Sequence, residues 1–81
     1  MIIKYFAWLK NITNKEEEEI FDDSIKNING LKHYLIAKYP NIKKHIENKT
    51  VRFAINLEYT IKNKKIQKKD VIAIFPPVSG G

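Results

Sequence analysis

The sequence has no cysteine, which removes disulfides, thiolate metal ligands and cysteine nucleophiles together. A small fold that dispenses with disulfides fits a reducing compartment, so a cytoplasmic location is expected. Arginine is nearly as scarce, since Arg52 stands alone against fourteen lysines. A nucleic-acid binder would keep arginine for bidentate phosphate contacts and expose aromatic rings for stacking. Nucleic acid is therefore not an expected partner, and a small basic nucleic-acid-binding domain is a distant alternative. Long apolar runs are missing as well: Met1-Ile2-Ile3 meets Lys4 at once, so neither a secretory leader nor a membrane partner is expected. Glycine and proline number three each, and two of each fall in the last six residues.

Conventional chemistry is thin too. His33 and His45 fall in different predicted helical segments, with no carboxylate at metal-ligand spacing, so no metal site is expected. Ser24 and Ser79 have no local base, and neither GxxxxGK nor GxGxxG occurs. The run Glu16-Glu17-Glu18-Glu19 reads as a solvated strand edge that discourages sheet-to-sheet pairing. No self-contained catalytic group emerges.

What remains is a single small globular domain. Apolar residues make up 43% of 81 and charged residues 30%, enough for a core that buries roughly 60% of the unfolded surface. The net charge of +6 is unevenly placed, because six of nine acids lie between Glu16 and Asp23 and twelve of fifteen basic residues follow Ser24. Lys64, Lys65, Lys68 and Lys69 crowd the approach to the last apolar run. They read either as a dock for an acidic partner rim or as a solvated loop in a chain rich in lysine, isoleucine and asparagine.

Ile2 to Leu9 predicts a central strand covered on both faces, Asn11 to Lys15 a turn, and Glu16 to Phe21 an antiparallel return strand. Ile28, Leu31, Leu35 and Tyr39 recur at helical spacing behind an Asn27 cap, giving a helix that ends before Pro40. Gly30 reads as a weak position within it that leaves room for close packing, and Ile42 and Ile46 suggest a short second helix. Thr50 to Leu57 is a strand, Glu58 to Ile61 a further extended piece, and Val71 to Phe75 the last strand. This order predicts an α+β fold of the β-grasp type. Its mixed sheet has four to five strands, with the first and last parallel in the middle, one main helix and a short second one.

Pro76-Pro77 fix φ and donate no N–H, so the last ladder must end at Phe75. Gly80 and Gly81 lack a Cβ and let the backbone enter a channel closed to other residues. Residues 1–75 are thus expected to form the domain and 76–81 a flexible tail with a free carboxylate, a frayed terminus being the other reading. Val78 to Gly81, extended, would span about 13 Å. Phe75 is either an apolar anchor at the tail root or an inward-facing core residue.

Phe75-Pro76-Pro77-Val78-Ser79-Gly80-Gly81 resembles the C-terminus of the small subunit of molybdopterin synthase, a sulfur carrier of the ubiquitin-like superfamily. The likeness extends to Asp70, Ala73, Ala54-Ile55-Asn56-Leu57-Glu58-Tyr59, Phe6-Ala7 with Lys10, and the Tyr39-Pro40 helix end. It departs at Asn11, Asn14, Lys69 and Val71, in turns and at a strand start. The resemblance implies that Gly81 is adenylated at the expense of ATP by an E1-like enzyme and converted to a thiocarboxylate with sulfur from a donor protein. Phe75, Pro76, Pro77, Val78, Ser79 and Gly80 would thread the channel of a large subunit that supplies the catalytic residues, in a hetero-oligomer. No cofactor is expected on the chain itself. Related carriers for thiamine thiazole or other thiolations, and ubiquitin-like modifiers joined to lysines through Gly81, are the alternatives.

Overall fold

The computed structural model describes residues 1–77. In strand β1 (Ile2–Tyr5), Ile3 and Tyr5 are buried while Ile2 is half-buried and Lys4 exposed, the two-residue period of a strand with unequal faces. The apolar run to Leu9 predicts a longer strand. The chain instead leaves the sheet after Tyr5: Ala7 turns it with φ 57°, and Leu9–Thr13 forms helix α1 where a turn was expected. Its buried residues, Leu9 and Thr13, lie one helical turn apart, so strand and helix patterns coincide over this short stretch. Asn14 closes the helix at φ 61°, its N–H donating to the Lys10 carbonyl. Strand β2 (Glu17–Glu19) then returns antiparallel to β1.

Helix α2 (Ile28–Lys38) starts and stops where the residues require. Its first three N–H groups have no helical carbonyl to satisfy them and the fourth makes the first bond to the cap carbonyl; each is placed. The Lys64 carbonyl accepts from Ile28 at 3.0 Å and Asn63 Oδ1 from Asn29 at 2.8 Å; Asn27 Oδ1 accepts from Gly30 at 2.8 Å and the Asn27 carbonyl from Leu31 at 3.0 Å. The segment before β5 is thereby tied to the helix start, reinforced by an Asn27–Lys65 bridge. A Cβ built on Gly30 would meet Asn27 Oδ1 at 3.4 Å and Ile25 Cα at 3.8 Å, ordinary contact, so the close packing expected of this glycine does not depend on its missing side chain. Pro40 opens a 3-10 turn, Pro40–Ile42, that runs into the short helix α3 (Lys43–Glu47).

Strand β3 (Arg52–Ile55) turns through Asn56 and Leu57, φ 49° and 72°, into β4 (Glu58–Thr60). Two left-handed residues joining antiparallel strands give the hairpin turn whose twist matches the sheet. Strand β5 (Val71–Phe75) lies between β1, parallel to it, and β3, antiparallel, completing the order β2-β1-β5-β3-β4. This is the expected β-grasp topology, with five strands. The core joins Ile3, Tyr5, Phe53, Ile55, Ile72 and Ile74 from one sheet face to Leu31 and Leu35 of α2. Among the described residues no helix lies over the other face. Two-sided cover was expected for β1, yet on this face Ile2 is only half-buried and Lys4 exposed, and Val71, Ala73 and Phe75 of β5 are half-buried.

Candidate functional site

The root of the tail grows from the middle of the sheet. Phe75 closes β5 in register with Arg52 of β3, and the Ile74 carbonyl accepts from the Phe6 N–H at 3.1 Å. Pro76 and Pro77 follow, half-buried and exposed, and with no N–H to offer they end the ladder at Phe75 as expected. Phe75 is not a core residue. Alternation along β5 sends Ile72 and Ile74 into the core and leaves Phe75 on the uncovered face, its ring centroid 6.3 Å from that of Tyr59. Val78, Ser79, Gly80 and Gly81, the remaining tail residues singled out in the sequence, lie outside the described residues.

The uncovered face beside this root is apolar at its centre, around Ala54, Ala73, Phe75 and Tyr59, with Lys4, Glu17, Glu19 and Arg52 around it. Strand register aligns Tyr59, Ala54, Ala73 and Lys4 across it, the two alanines forming a low floor between the Tyr59 ring and the lysine. Phe6 is 47% exposed and Tyr59 55%, while Leu57 at the hairpin tip is 97% exposed. Leu57 also sits at positive φ, where an L side chain crowds the next carbonyl and glycine is the unstrained choice. A bulky apolar residue held fully in water, in a strained conformation, has no stabilising role in the isolated domain. The continuous apolar composition of β5 is now explained: one face packs on α2, and among the described residues nothing packs over the other.

Asn56 and Asp70 brace the start of β5 against the hairpin. Asn56 Nδ2 donates to Asp70 Oδ1 at 2.9 Å, Asn56 Oδ1 accepts from Val71 N–H at 2.9 Å, and Asp70 Oδ2 accepts from Gln67 N–H at 2.8 Å. The pair fixes β5, and hence the root of the tail, relative to the open face. Both residues are conspicuous in the sequence, but their pairing across fourteen positions has no local signal.

The glutamate run is only partly the solvated edge it was expected to be. Glu16, Glu17 and Glu19 are exposed, but the Glu18 side chain retains 8% exposure. The Tyr5 and Tyr39 hydroxyls donate to its Oε2 at 2.5 and 2.6 Å, and Lys38 Nζ donates to Oε1 at 2.6 Å. Burial pushes this carboxyl up, but the Lys38, Tyr39 and Tyr5 donors outweigh it and hold Glu18 below the usual carboxylate range. Burial first, and Glu18 second, raise both phenols above their ordinary value; the bond to Glu18 raises Lys38. A carboxylate held ionised by three donors is a poor proton donor, so the cluster is a structural pin between β1, β2 and α2. His33 lies on α2 and His45 on α3, where its ring packs 4.6 Å from that of Trp8, and no group of metal-ligating side chains occurs among the described residues. Lys64 pairs with Glu58 at 3.8 Å and Lys68 with Asp23 at 3.5 Å, so the lysine cluster before β5 is partly matched by acids. Among the described residues no helix is long and apolar enough to cross a membrane.

The arrangement has known counterparts. The chain resembles a solved structure described as molybdopterin converting factor subunit 1 of Pyrococcus furiosus, at 25% identity and a TM-score of 0.82 over 95% of each chain. It shares its fold with small archaeal modifier protein 1 of Haloferax volcanii, at 21% identity and a TM-score of 0.79 over 99% of this chain and 97% of that one. It shares it also with small archaeal modifier protein 1 of Methanosarcina acetivorans, at 23% identity and 0.76 over 99% and 94%. Residues 3–81 match the ThiS family, a span that includes both the β-grasp domain and the terminal Gly80-Gly81, and the chain belongs to that family.

Proposed function

We propose that this protein is the sulfur carrier of molybdopterin synthesis, with the main-chain carboxylate of Gly81 as the reacting group. The observation that carries the reading is the exit of Pro76-Pro77 from the central strand β5, beside a sheet face that the described residues leave uncovered, ahead of Val78-Ser79-Gly80-Gly81 in the sequence. Membership of the ThiS family and the likeness to a molybdopterin converting factor subunit support it. The open face, through Tyr59, Phe75, Phe6 and Leu57, docks the partner enzymes and presents the tail to their active sites.

A carboxylate is a poor electrophile, so activation comes first. A Gly81 oxygen attacks the α-phosphorus of ATP on an E1-like enzyme, pyrophosphate leaves, and an acyl-adenylate forms. A sulfide-level nucleophile from a donor protein then adds at the carbonyl carbon and expels AMP, leaving the thiocarboxylate. On the large subunit the thiocarboxylate sulfur adds to a side-chain carbon of the pterin precursor and displaces the oxygen bound there, so that a carbon–sulfur bond replaces a carbon–oxygen bond. Water then cleaves the carbonyl–sulfur bond, and the Gly81 carboxylate is regenerated while the sulfur stays on the product. Glycine at the last two positions keeps the carbonyl open to both nucleophiles.

The test is reconstitution. Thiolated protein mixed with a synthase large subunit and cyclic pyranopterin monophosphate is expected to yield molybdopterin, with two carriers consumed per product. Sulfur delivered only to a thiazole precursor, or Gly81 appearing in isopeptide bonds to lysines, would move the protein to the thiamine or modifier branch.

A further inference from the structure

On the helix-covered side, between the β3–β4 hairpin and helices α2 and α3, lies a groove of about 320 Å³. Its floor is apolar, formed by Ile28, Ile46, Val51 and Phe53. Every ionisable side chain that lines it is a cation: Lys32, Lys49, Arg52 and Lys62. These four come from α2, the loop after α3, β3 and the loop after β4, so the sequence shows no basic cluster here. None of them forms an ion pair among the described residues, in contrast to Lys64 and Lys68. The Lys32 ammonium lies 5.7 Å from the centre of the Phe53 ring, and one Arg52 nitrogen donates to the Lys49 carbonyl at 2.7 Å, leaving its other N–H groups for a ligand. Ile61, 79% exposed, extends the apolar floor to the rim.

We propose that this groove docks an acidic peptide segment of a protein partner, an aliphatic side chain on the floor and carboxylates on the four cations. An apolar centre within a ring of unmatched charge of one sign is complementary to a peptide that alternates in the same way. Nucleic acid fits less well: the one ring in the floor, Phe53, is 5% exposed and lies beneath Lys32, so no stacking platform is offered, and three of the four cations are lysines. None of Tyr59, Phe6, Leu57, Phe75 or Pro76 lines it, so a partner held there contacts different residues from those of the open face, with Arg52, in register with Phe75, at the edge the two surfaces share. This proposal does not depend on the chemistry of Gly81.

The experiment uses the isotopically labelled full chain and an acetylated, amidated peptide, Asp-Glu-Ile-Val-Asp-Glu, followed by amide chemical shifts. Shifts are expected to concentrate at Ile28 to Lys32, Lys49 to Phe53 and Thr60 to Lys62. Affinity should fall about tenfold when salt rises from about 0.05 to about 0.5 M, and about tenfold again for the peptide with Asn and Gln in place of its acids. Lys49→Glu combined with Lys62→Glu, both at exposed positions, should weaken binding by at least about tenfold. Deletion of Gly80 and Gly81 should leave it unchanged. Shifts centred on Lys64 to Lys69, equal binding of the neutral peptide, displacement by a short oligoadenylate, or no saturable shifts would each overturn the proposal. The salt and neutral-peptide arms use the native chain, so they decide the question even if the double variant unfolds.

Discussion

Replacing Glu18 by glutamine isolates charge from shape at the pin between sheet and helix. Glu18 accepts from two phenols on one oxygen and from Lys38 on the other. Glutamine has one acceptor and one donor, so it must either face the ammonium with an NH₂ group or turn that group on the two hydroxyls. In both orientations at least one charge-assisted bond, worth about 1.5–3 kcal/mol, is lost. Tyr5 has 2% exposure and cannot turn to water, so a phenol left unpaired there costs about 1–3 kcal/mol. A net loss of about 2–3 kcal/mol is expected for Glu18→Gln, a large part of the roughly 4–12 kcal/mol available to a domain of this size. Lys38→Met leaves the ionised Glu18, with 8% exposure, its two phenol bonds but takes away its ammonium, a charge-assisted bond worth about 1.5–3 kcal/mol, so a loss in that range is expected. Urea unfolding followed by far-ultraviolet circular dichroism measures both. A Glu18→Gln loss below about 0.5 kcal/mol, the range of a surface pair, would refute the reasoning.

The same cluster sets the pH range of stability. The unfolded chain protonates Glu18 near its ordinary 4.5 while the folded chain resists until lower pH, so stability is full above about 4.5 and lost as pH falls through the lowered value. The folded chain also keeps the Tyr5, Tyr39 and Lys38 protons that the unfolded chain releases near 10, so stability declines again above about 10. Urea midpoints across pH should show this plateau, and Glu18→Gln should flatten its acid limb; an unchanged limb would contradict the assignment. Gly30→Ala should stabilise the chain by about 0.5–1 kcal/mol, since the added methyl meets only ordinary contacts within α2. Leu57→Gly should raise unfolding free energy by about 0.5–1 kcal/mol by relieving a left-handed leucine, and should raise the KM of the activating enzyme for this protein. Stabilisation without a change in KM would remove Leu57 from the docking face.

Much of the fold was legible because its signals are local. The Asn27 cap, the period through Leu31 and Leu35, the Pro40 stop and the Pro76-Pro77 end of β5 act within a few residues of where they stand. The error at Leu9–Thr13 is equally local: five residues are too few to separate a period of two from one of 3.6, and no residue type announces the positive φ at Ala7. Long-range features were hidden. Glu18 meets Tyr5, Lys38 and Tyr39 across 13 to 21 positions, so a run of four glutamates reads as uniformly solvated when one of them is an anchor. The uncovered sheet face was half-legible. The continuous apolar run in β5 announces two faces that avoid water, but it does not tell whether the second is covered from within the chain or by a partner.

The central claim is that Gly81 carries sulfur as a thiocarboxylate. Intact mass measured after incubation with ATP, an E1-like activating enzyme and a sulfur donor tests it directly. The account predicts a gain of about 16 Da, oxygen replaced by sulfur at the terminal carboxylate, that disappears when Gly81 is deleted or ATP is withheld. An unchanged mass with an activating enzyme that thiolates another member of the family, or the same gain in the chain lacking Gly81, would contradict it.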